Sequence, residues 1–303
     1  MNPTVDVIIP VYKPNRTLLT NLALLLTQTY PIEKVILLNT VSHISIKPYV
    51  MDPRIEVISV LPEDFDHGGT RHLGATHSSA DIIVFMTQDA SPYDEQLIEA
   101  LIKPLEDDKV SISYAQQLAD YNADPIELYT REFNYPKTSH IKSKEDLPTM
   151  GIKTFFCSNV CAAYRRVDYL KLGGFITKTI FNEDMIFAAE TILSGKCIAY
   201  SADAKVIHSH TYTMLQSLRR NFDLAVSQAD HPDIFSKVKS TDEGIKYIKK
   251  VITYLIHSKH PFLIPYFIVQ SGMRYIGYTL GLHYKKLPRW VILICSMNNR
   301  YWG

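Results

Sequence analysis

The chain has 303 residues with 46% hydrophobic and 21% charged content, ordinary for a globular protein and enough for one large α/β domain with an extension. Its 4 cysteines, Cys157, Cys161, Cys197 and Cys295, form no Cys-x-x-Cys pair and none has a histidine at zinc-ligand spacing. The pattern argues against a disulfide scaffold or a zinc module and for buried free thiols in a reducing compartment. The formal net charge of +1 conceals an asymmetry: Gly244 to Gly303 holds nine Lys or Arg and no Asp or Glu, leaving 23 basic and all 31 acidic residues before it, a net of −8. An acidic body without interleaved aromatic and basic stacking motifs counts against nucleic acid, and the basic tail suggests a separate surface task.

The opening Met1-Asn2-Pro3-Thr4-Val5-Asp6 lacks a basic region followed by an apolar core, and no stretch reaches the apolar length of a spanning helix. A cytoplasmic protein is expected. Val5 to Tyr12 reads as a short buried strand, and a helix follows from about Thr17 with leucines at 18, 19, 22, 25 and 26. That helix stops before Tyr30-Pro31, because a residue preceding proline is pushed out of the helical region. Val35 to Leu38 forms the second strand, with Asn39 at its exit, and Ile55 to Val60 alternates like a third. The glycine-bearing stretch Asp64-Phe65-Asp66-His67-Gly68-Gly69-Thr70-Arg71 reads as a polar loop leading into a helix through Leu73 to Ser78.

Ile82-Ile83-Val84-Phe85-Met86 is a strand buried on both faces. It stops at Thr87-Gln88-Asp89, and Pro92 is expected to open a helix through Ile98. In an open α/β sheet, ligands sit beyond the carboxyl ends of the strands, so Asp89 either faces a site or caps the next helix, a task Ser91 can also perform. The rhythm of strands and helices is that of a doubly wound, mostly parallel sheet. Tyr121 to Thr154 is polar and rich in turn residues, and reads as a mobile insertion. Phe155 to Tyr164 looks strand-like. Glu183-Asp184 begins a helix through about Ser194, a placement that dipole stabilisation alone explains. In Val206-Ile207-His208-Ser209-His210 the two histidines share one face of a strand and are candidate metal ligands beside an exposed Asp.

With these pieces in place, the chain resembles family 2 glycosyltransferases of the GT-A fold, and more narrowly the bacterial rhamnosyltransferases of streptococcal-type rhamnose cell-wall polysaccharides. The residues that carry the resemblance are Val7 to Tyr12, the loop Asp64 to Arg71, Thr87-Gln88-Asp89-Ala90, Gly173-Gly174-Phe175 with Asn182-Glu183-Asp184, His208-Ser209-His210-Thr211-Tyr212, and the stretch from Tyr278 to Trp302. It covers essentially the whole length. It implies a GT-A fold, Rossmann-like and mostly parallel with flanking helices, over residues 1–235, and a helical extension over residues 236–303. The implied reaction is inverting transfer of L-rhamnose from dTDP-β-L-rhamnose to a lipid-linked saccharide, giving an α-rhamnosyl linkage. The alternatives are a UDP-sugar donor or a non-catalytic sugar-nucleotide-binding protein.

The resemblance also assigns roles. Asp184 matches the position of the catalytic base, with Glu183 beside it. Asp89 matches the last acid of the family's Asp-x-Asp motif and, with His210 (His208 as the lesser candidate), is expected to hold Mg2+ or Mn2+. Thr87 stands where the first acid of that motif is found, which leaves fewer carboxylates for the ion. Pro10, Tyr12 and Asn39 fall where relatives seat the base and ribose. Asp66, Gly69, Arg71, Gln88 and Asp89 complete the donor set, Arg71 for phosphate charge. Gln216 and Arg219 partly match a gating Gln-x-x-Arg-Trp motif for acceptor or diphosphate, with Arg220 replacing Trp; an ordinary basic helix face fits them equally.

In the extension, Ile245, Ile248, Val251, Ile252 and Leu255 share a helical face, with Lys246, Lys249 and Lys250 mostly opposite. The apolar blocks Phe262 to Ile268 and Trp290 to Ile294 either pack, on the domain or on a second subunit of an oligomer, or contact anionic lipid on the inner face of the membrane.

Overall fold

The computed structural model describes residues 2–210, 212–236 and 241–303, without the side chains of 241–243. Met1 and Thr211 of the motifs above therefore lie outside the described residues. The chain forms two compact units, residues 1–118, 135–177 and 183–208 in the first and residues 119–134, 178–182 and 209–303 in the second. This division differs from a single cut after residue 235, which borders 237–240, outside the described residues. The helix Met214–Asp230 belongs with the second unit because its partner is the helix Ile264–Leu282.

The first unit is built on a nine-stranded sheet. Its strands are β1 (Val5–Tyr12), β2 (Lys34–Thr40), β3 (Ile55–Val60), β4 (Ile82–Met86), β5 (Ser91–Pro92), β6 (Val110–Leu118), β7 (His140–Lys142), β8 (Cys161–Arg165) and β9 (Cys197–Ile207). The order is β3-β2-β1-β4-β8-β6-β9-β5, with β7 also on β9. β1, β2, β3, β4, β6 and β9 run in one direction, while β5, β7 and β8 run against them. The runs rich in Val, Ile and Leu explain the buried strands: every residue of β4 is buried, and Val5, Val7, Ile9, Val35, Leu37 and Val84 lie in one core cluster.

Register decides where the site falls. Val11 lies opposite Asn39, Met86 opposite Cys161, and Leu118 opposite Ile207. The exits of β1, β2, β4, β6 and β9 therefore lie along one edge of the sheet. Because β8 is antiparallel, the residues just before it, Ser158 to Val160, arrive at that same edge.

Four local expectations need correction. The second half of the expected glycine loop is helical: the helix starts at His67 and runs to His77, with the Asp66 side chain accepting from Gly69 N. Gly68 is required there, since a Cβ would come within 1.9 Å of the Ile176 carbonyl oxygen. Pro92 does not open a helix: Ser91 and Pro92 pair with Ile207 and Val206, and the helix is Leu97–Ile102. The stretch Tyr121 to Thr154 carries the helix Pro125–Asn134 and β7, anchored by buried Ile126, Tyr135 and Lys142. Only Cys161 onward of the strand-like stretch from Phe155 is strand.

In the second unit, the sequence Gly277-Tyr278-Thr279-Leu280-Gly281 sets the packing of the helix Ile264–Leu282. A Cβ on Gly277 would lie 2.1 Å from the Leu218 carbonyl oxygen, and one on Gly281 would lie 2.3 Å from that of Phe222. Two glycines one turn apart let the backbones approach this closely. Val251, Leu255 and Phe267 bury with Ile126, so the apolar face expected on the helix Thr241–His257 packs inward, while Ile245 stays exposed. The chain end returns to the helix Met214–Asp230, where Met297 N donates to the buried Asp223 carboxylate at 2.9 Å. Burial pushes that carboxyl up to about 6. No helix among the described residues is long and apolar enough to cross a membrane.

Candidate active site

The sheet edge gathers its polar groups around three residues, Ser158, Asn159 and Val160. The Val160 carbonyl accepts from Thr87 N at 3.1 Å, fixing the turn that presents Asp89. Asn159 N donates to Asp184 Oδ2 at 3.0 Å, and Asn159 Nδ2 donates to Glu183 Oε1 at 3.3 Å. The side-chain oxygen, Asn159 Oδ1, accepts from the buried Tyr164 hydroxyl at 2.7 Å. Ser158 Oγ accepts from Gln117 Nε2 at 3.0 Å, and Gln117 Oε1 meets His208 Nδ1 at 3.1 Å. One short segment thus ties Asp89, His208, Glu183 and Asp184 to one edge of the first unit.

Glu183 and Asp184 open the helix Glu183–Leu193 but differ in environment. Glu183 is buried and ion-paired with Arg71 Nη1 at 3.1 Å. Burial pushes its carboxyl up, yet Arg71 and His67 outweigh that and hold it below the usual range. Asp184 retains some exposure. Burial first, and then the Glu183 charge, push its carboxyl up to about 7. Adjacent carboxyls driven apart in this way give one fixed charge and one group able to exchange a proton near neutrality.

Asp89 is 42% exposed at its side chain and lies 3.7 Å from His208 Nε2. His208 is buried, and its backbone N donates to Leu118 O. Because the Gln117 side-chain oxygen only accepts, His208 Nδ1 is the donor to it, and in the neutral ring Nε2 keeps its lone pair toward Asp89. A carboxylate oxygen beside an imidazole lone pair, with the other ring nitrogen held by a second residue, fits a divalent cation. His208, the lesser candidate in the sequence, is therefore as well placed as any ligand in the first unit. His210 falls in the second unit, where its backbone N donates to Glu127 and its ring packs near Tyr212.

The other expected site residues separate into two groups. Tyr12 is exposed at the β1 exit, Pro10 is partly buried, and Asn39 is buried at the β2 exit, with no hydrogen-bond partner for its Oδ1 among the described residues. The second group is engaged internally. Both ends of the Gln88 amide bond the Tyr12 main chain, at 3.0 Å each, so this side chain fixes β1 against the β4 exit. Asp66 caps its helix through Gly69. Arg71, expected to meet phosphate, instead bonds the His67 carbonyl and Glu183, because a buried carboxylate one helix away demands a counter-charge. In the second unit, Gln216 forms a capping box with Thr213, and Arg219 Nε donates to the Ile294 carbonyl. Arg220 lies over the rings of Phe181 and Tyr212.

Asn159, Ser158 and Gln117 escape sequence reasoning. The only local signal is the polar pair Ser158-Asn159 interrupting an otherwise apolar run.

A mixed sheet with acid and histidine at its strand exits, flanked by helices, defines a GT-A type of α/β fold, and similarity to solved structures agrees. A mannosyltransferase from Pyrobaculum calidifontis, PcManGT, in complex with GDP-Man and Mn2+, superposes with a TM-score of 0.60 at 15% identity, over 99% of this chain and 87% of that one. S. aureus TarS 1-349 gives a TM-score of 0.54 at 14% identity, over 93% and 91% of the two chains. Residues 6–173 match Glycosyl transferase family 2. The chain belongs to that family and is a glycosyltransferase. It is 36% identical to the O-antigen chain rhamnosyltransferase RfbN of Salmonella typhimurium over 302 residues, 99% of this chain and 96% of that protein. It is also 39% identical to the O-antigen chain rhamnosyltransferase WbaN of Salmonella anatum over 249 residues, 82% and 79% of the two.

Proposed function

We propose that this glycosyltransferase moves L-rhamnose from dTDP-β-L-rhamnose to a hydroxyl of a lipid-linked saccharide, with inversion to an α-rhamnosyl linkage. The observation that carries the reading is the convergence of Asp184 and the Asp89–His208 pair on the Ser158–Val160 segment. The rhamnosyl assignment is supported by the two O-antigen rhamnosyltransferases, which also favour an O-antigen type of acceptor over a streptococcal-type wall polysaccharide.

In this reading Asp184 accepts the proton of the acceptor hydroxyl as its oxygen bonds to the anomeric carbon. The bond from that carbon to the diphosphate oxygen breaks, and dTDP leaves from the opposite face. A carboxyl poised near the working pH suits this role. Glu183, held ionised by Arg71, raises the proton affinity of Asp184 and so strengthens it as a base. Asp89 and His208 would hold the cation, and His210, two residues farther along the chain, lies within backbone reach to complete the set. When bound, the ion would offset the negative charge of the leaving diphosphate. Tyr12 offers a ring surface for the base, with Asn39 at the neighbouring β2 exit as the expected hydrogen-bonding group for thymine or uracil.

The extension is assigned to the membrane surface. The helix Ile264–Leu282 exposes Ile268, Val269, Tyr275 and Ile276 on the side away from Gly277 and Gly281, and its one charge, Arg274, bonds Gln270. Exposed Trp290 and the basic Lys285, Lys286 and Arg289 follow, a combination suited to an anionic lipid face. The test is a donor screen by product mass on a lipid-linked acceptor, with and without EDTA. Rhamnosyl product from dTDP-rhamnose, lost in EDTA and restored by Mn2+, is the expected result. Preference for a UDP-sugar would overturn the donor, and no transfer from any nucleotide sugar would overturn the reading.

A further inference from the structure

Lys142 is the most deeply buried charged side chain in the first unit, with no exposed surface. β7 alternates, so Ile141 points outward while Lys142 points into the protein. Its Nζ donates to the Tyr114 hydroxyl at 3.2 Å, to the Lys153 carbonyl at 3.2 Å and to the Phe156 carbonyl. Those three bonds use all three donors of an ammonium. The Tyr114 ring lies 4.7 Å from Nζ and that of Phe156 5.9 Å away. No carboxylate makes a salt bridge to it among the described residues; it is solvated by neutral oxygens and aromatic faces. Burial lowers it to about 7, offset in part by Cys157 and Asp146.

Such a group is costly, since a methionine would fill the same space without the desolvation penalty. Its partners suggest what the cost sustains. Lys153 and Phe156 bracket the last turn before Cys157, Ser158 and Asn159. The ammonium draws two carbonyls of that turn to one point, immediately ahead of the residues that bond Asp184, Glu183 and Gln117.

We propose that Lys142 is a positioning residue for the transfer site, holding the Phe156 carbonyl so that Ser158 to Val160 keep the register that Asp184 and His208 require. The proposal rests on the transfer roles given above to Asp184 and His208. It does not make Lys142 a catalytic residue, because its ammonium is sealed from the sheet edge.

The test compares full-length wild type with Lys142→Met and with Tyr114→Phe, which removes one acceptor and leaves the ring. Hydrogen exchange of the peptide spanning 157–161 is measured beside kcat and donor KM. In folded Lys142→Met, exchange at 157–161 is expected to rise about tenfold or more as local opening becomes easier. kcat should fall about ten- to a hundredfold with donor KM changed by less than about threefold, the signature of lost transition-state alignment. Tyr114→Phe should move both readouts in the same direction by less. Unchanged exchange at 157–161, or faster exchange with unchanged kcat, overturns the proposal. If Lys142→Met does not fold, the same outcomes are read from Tyr114→Phe. Failure of the underlying reading is separately visible, because Asp184→Asn would then keep its turnover whatever Lys142 does.

Discussion

Replacing Asp184 by Asn tests the proton step with little change of shape. The variant cannot accept a proton, so kcat should fall by about a hundred- to ten-thousandfold, equivalent to roughly 2.7–5.4 kcal/mol of barrier. Asp184 accepts from Asn159 N and Met185 N through different oxygens, so the Asn variant keeps one of these bonds and gives up the other. The assay is product formation at saturating dTDP-rhamnose from pH 5 to 9, with a cation that does not precipitate. Since the wild-type carboxyl is pushed up to about 7 by burial and by Glu183, kcat should rise about tenfold per unit at lower pH and level off above about 7, whereas the Asn variant should lack that limb. Stability gives a second reading of the same group. Between about pH 4 and 7 the native carboxyl holds a proton that the unfolded chain has released, so Asp184 contributes a loss of stability as pH rises through that window. The Asn variant, free of that loss, should gain in Tm relative to wild type from acid to neutral pH. Near-wild-type turnover in the Asn variant, or a wild-type rate that is flat across pH 6 to 8, would refute the assignment.

Four further substitutions probe the support around the site and a helix contact in the second unit. Glu183→Gln leaves the buried Arg71 guanidinium without its partner at 3.1 Å and should cost roughly 3–5 kcal/mol in urea unfolding; a loss below about 1 kcal/mol would show the pair to be dispensable. Gln117→Leu frees the His208 ring from its orienting bond and should weaken Mn2+ binding about ten- to a hundredfold by calorimetric titration, and unchanged affinity would exclude His208 as a ligand. Gly277→Val drives a side chain into the Leu218 carbonyl at 2.1 Å, whereas Gly272 in the same helix faces open space. Valine at 277 should therefore destabilise by about 1–3 kcal/mol, while Gly272→Ala should stabilise by up to about 1 kcal/mol; equal thermal shifts would contradict the close helix contact.

Legibility in the sequence follows the range of the forces involved. β1, β2, β3 and β4 are visible because each is a local run of buried β-branched or aliphatic residues, and Glu183-Asp184 marks its helix start through local charge. Pro92 misleads, since its pairing with Val206 is set by residues more than a hundred positions away. The Asp66 loop misleads for the opposite reason: Gly68 and Gly69 disfavour helix locally, but the Asp66 cap and the close passage of Ile176 place them in a first turn. The candidate site residues at strand exits are readable from their position alone. What each side chain is doing is not, because Arg71 finds its partner at Glu183 and Gln88 finds its partner at Tyr12, both through the assembled sheet edge.

In the proposed reading, the charge arrangement at that edge bears on how a site with Thr87 at the β4 exit would serve a diphosphate leaving group. Arg71 and Glu183 cancel, and Asp184 near its titration point carries only part of a charge at neutral pH. His208, with Nδ1 committed to Gln117, would contribute an imidazole ligand. Asp89 is then the acid that the β4 exit sets beside this imidazole. A single carboxylate and an imidazole would leave a dication under-neutralised and its attraction for the donor's phosphate oxygens strong, whereas a second acid at position 87 would use up that attraction before the donor arrived. Linkage then requires cation and nucleotide to strengthen each other's binding by the same factor. Under that proposal, Thr87 at the strand exit would shift affinity from the free ion to the ion bound with its donor.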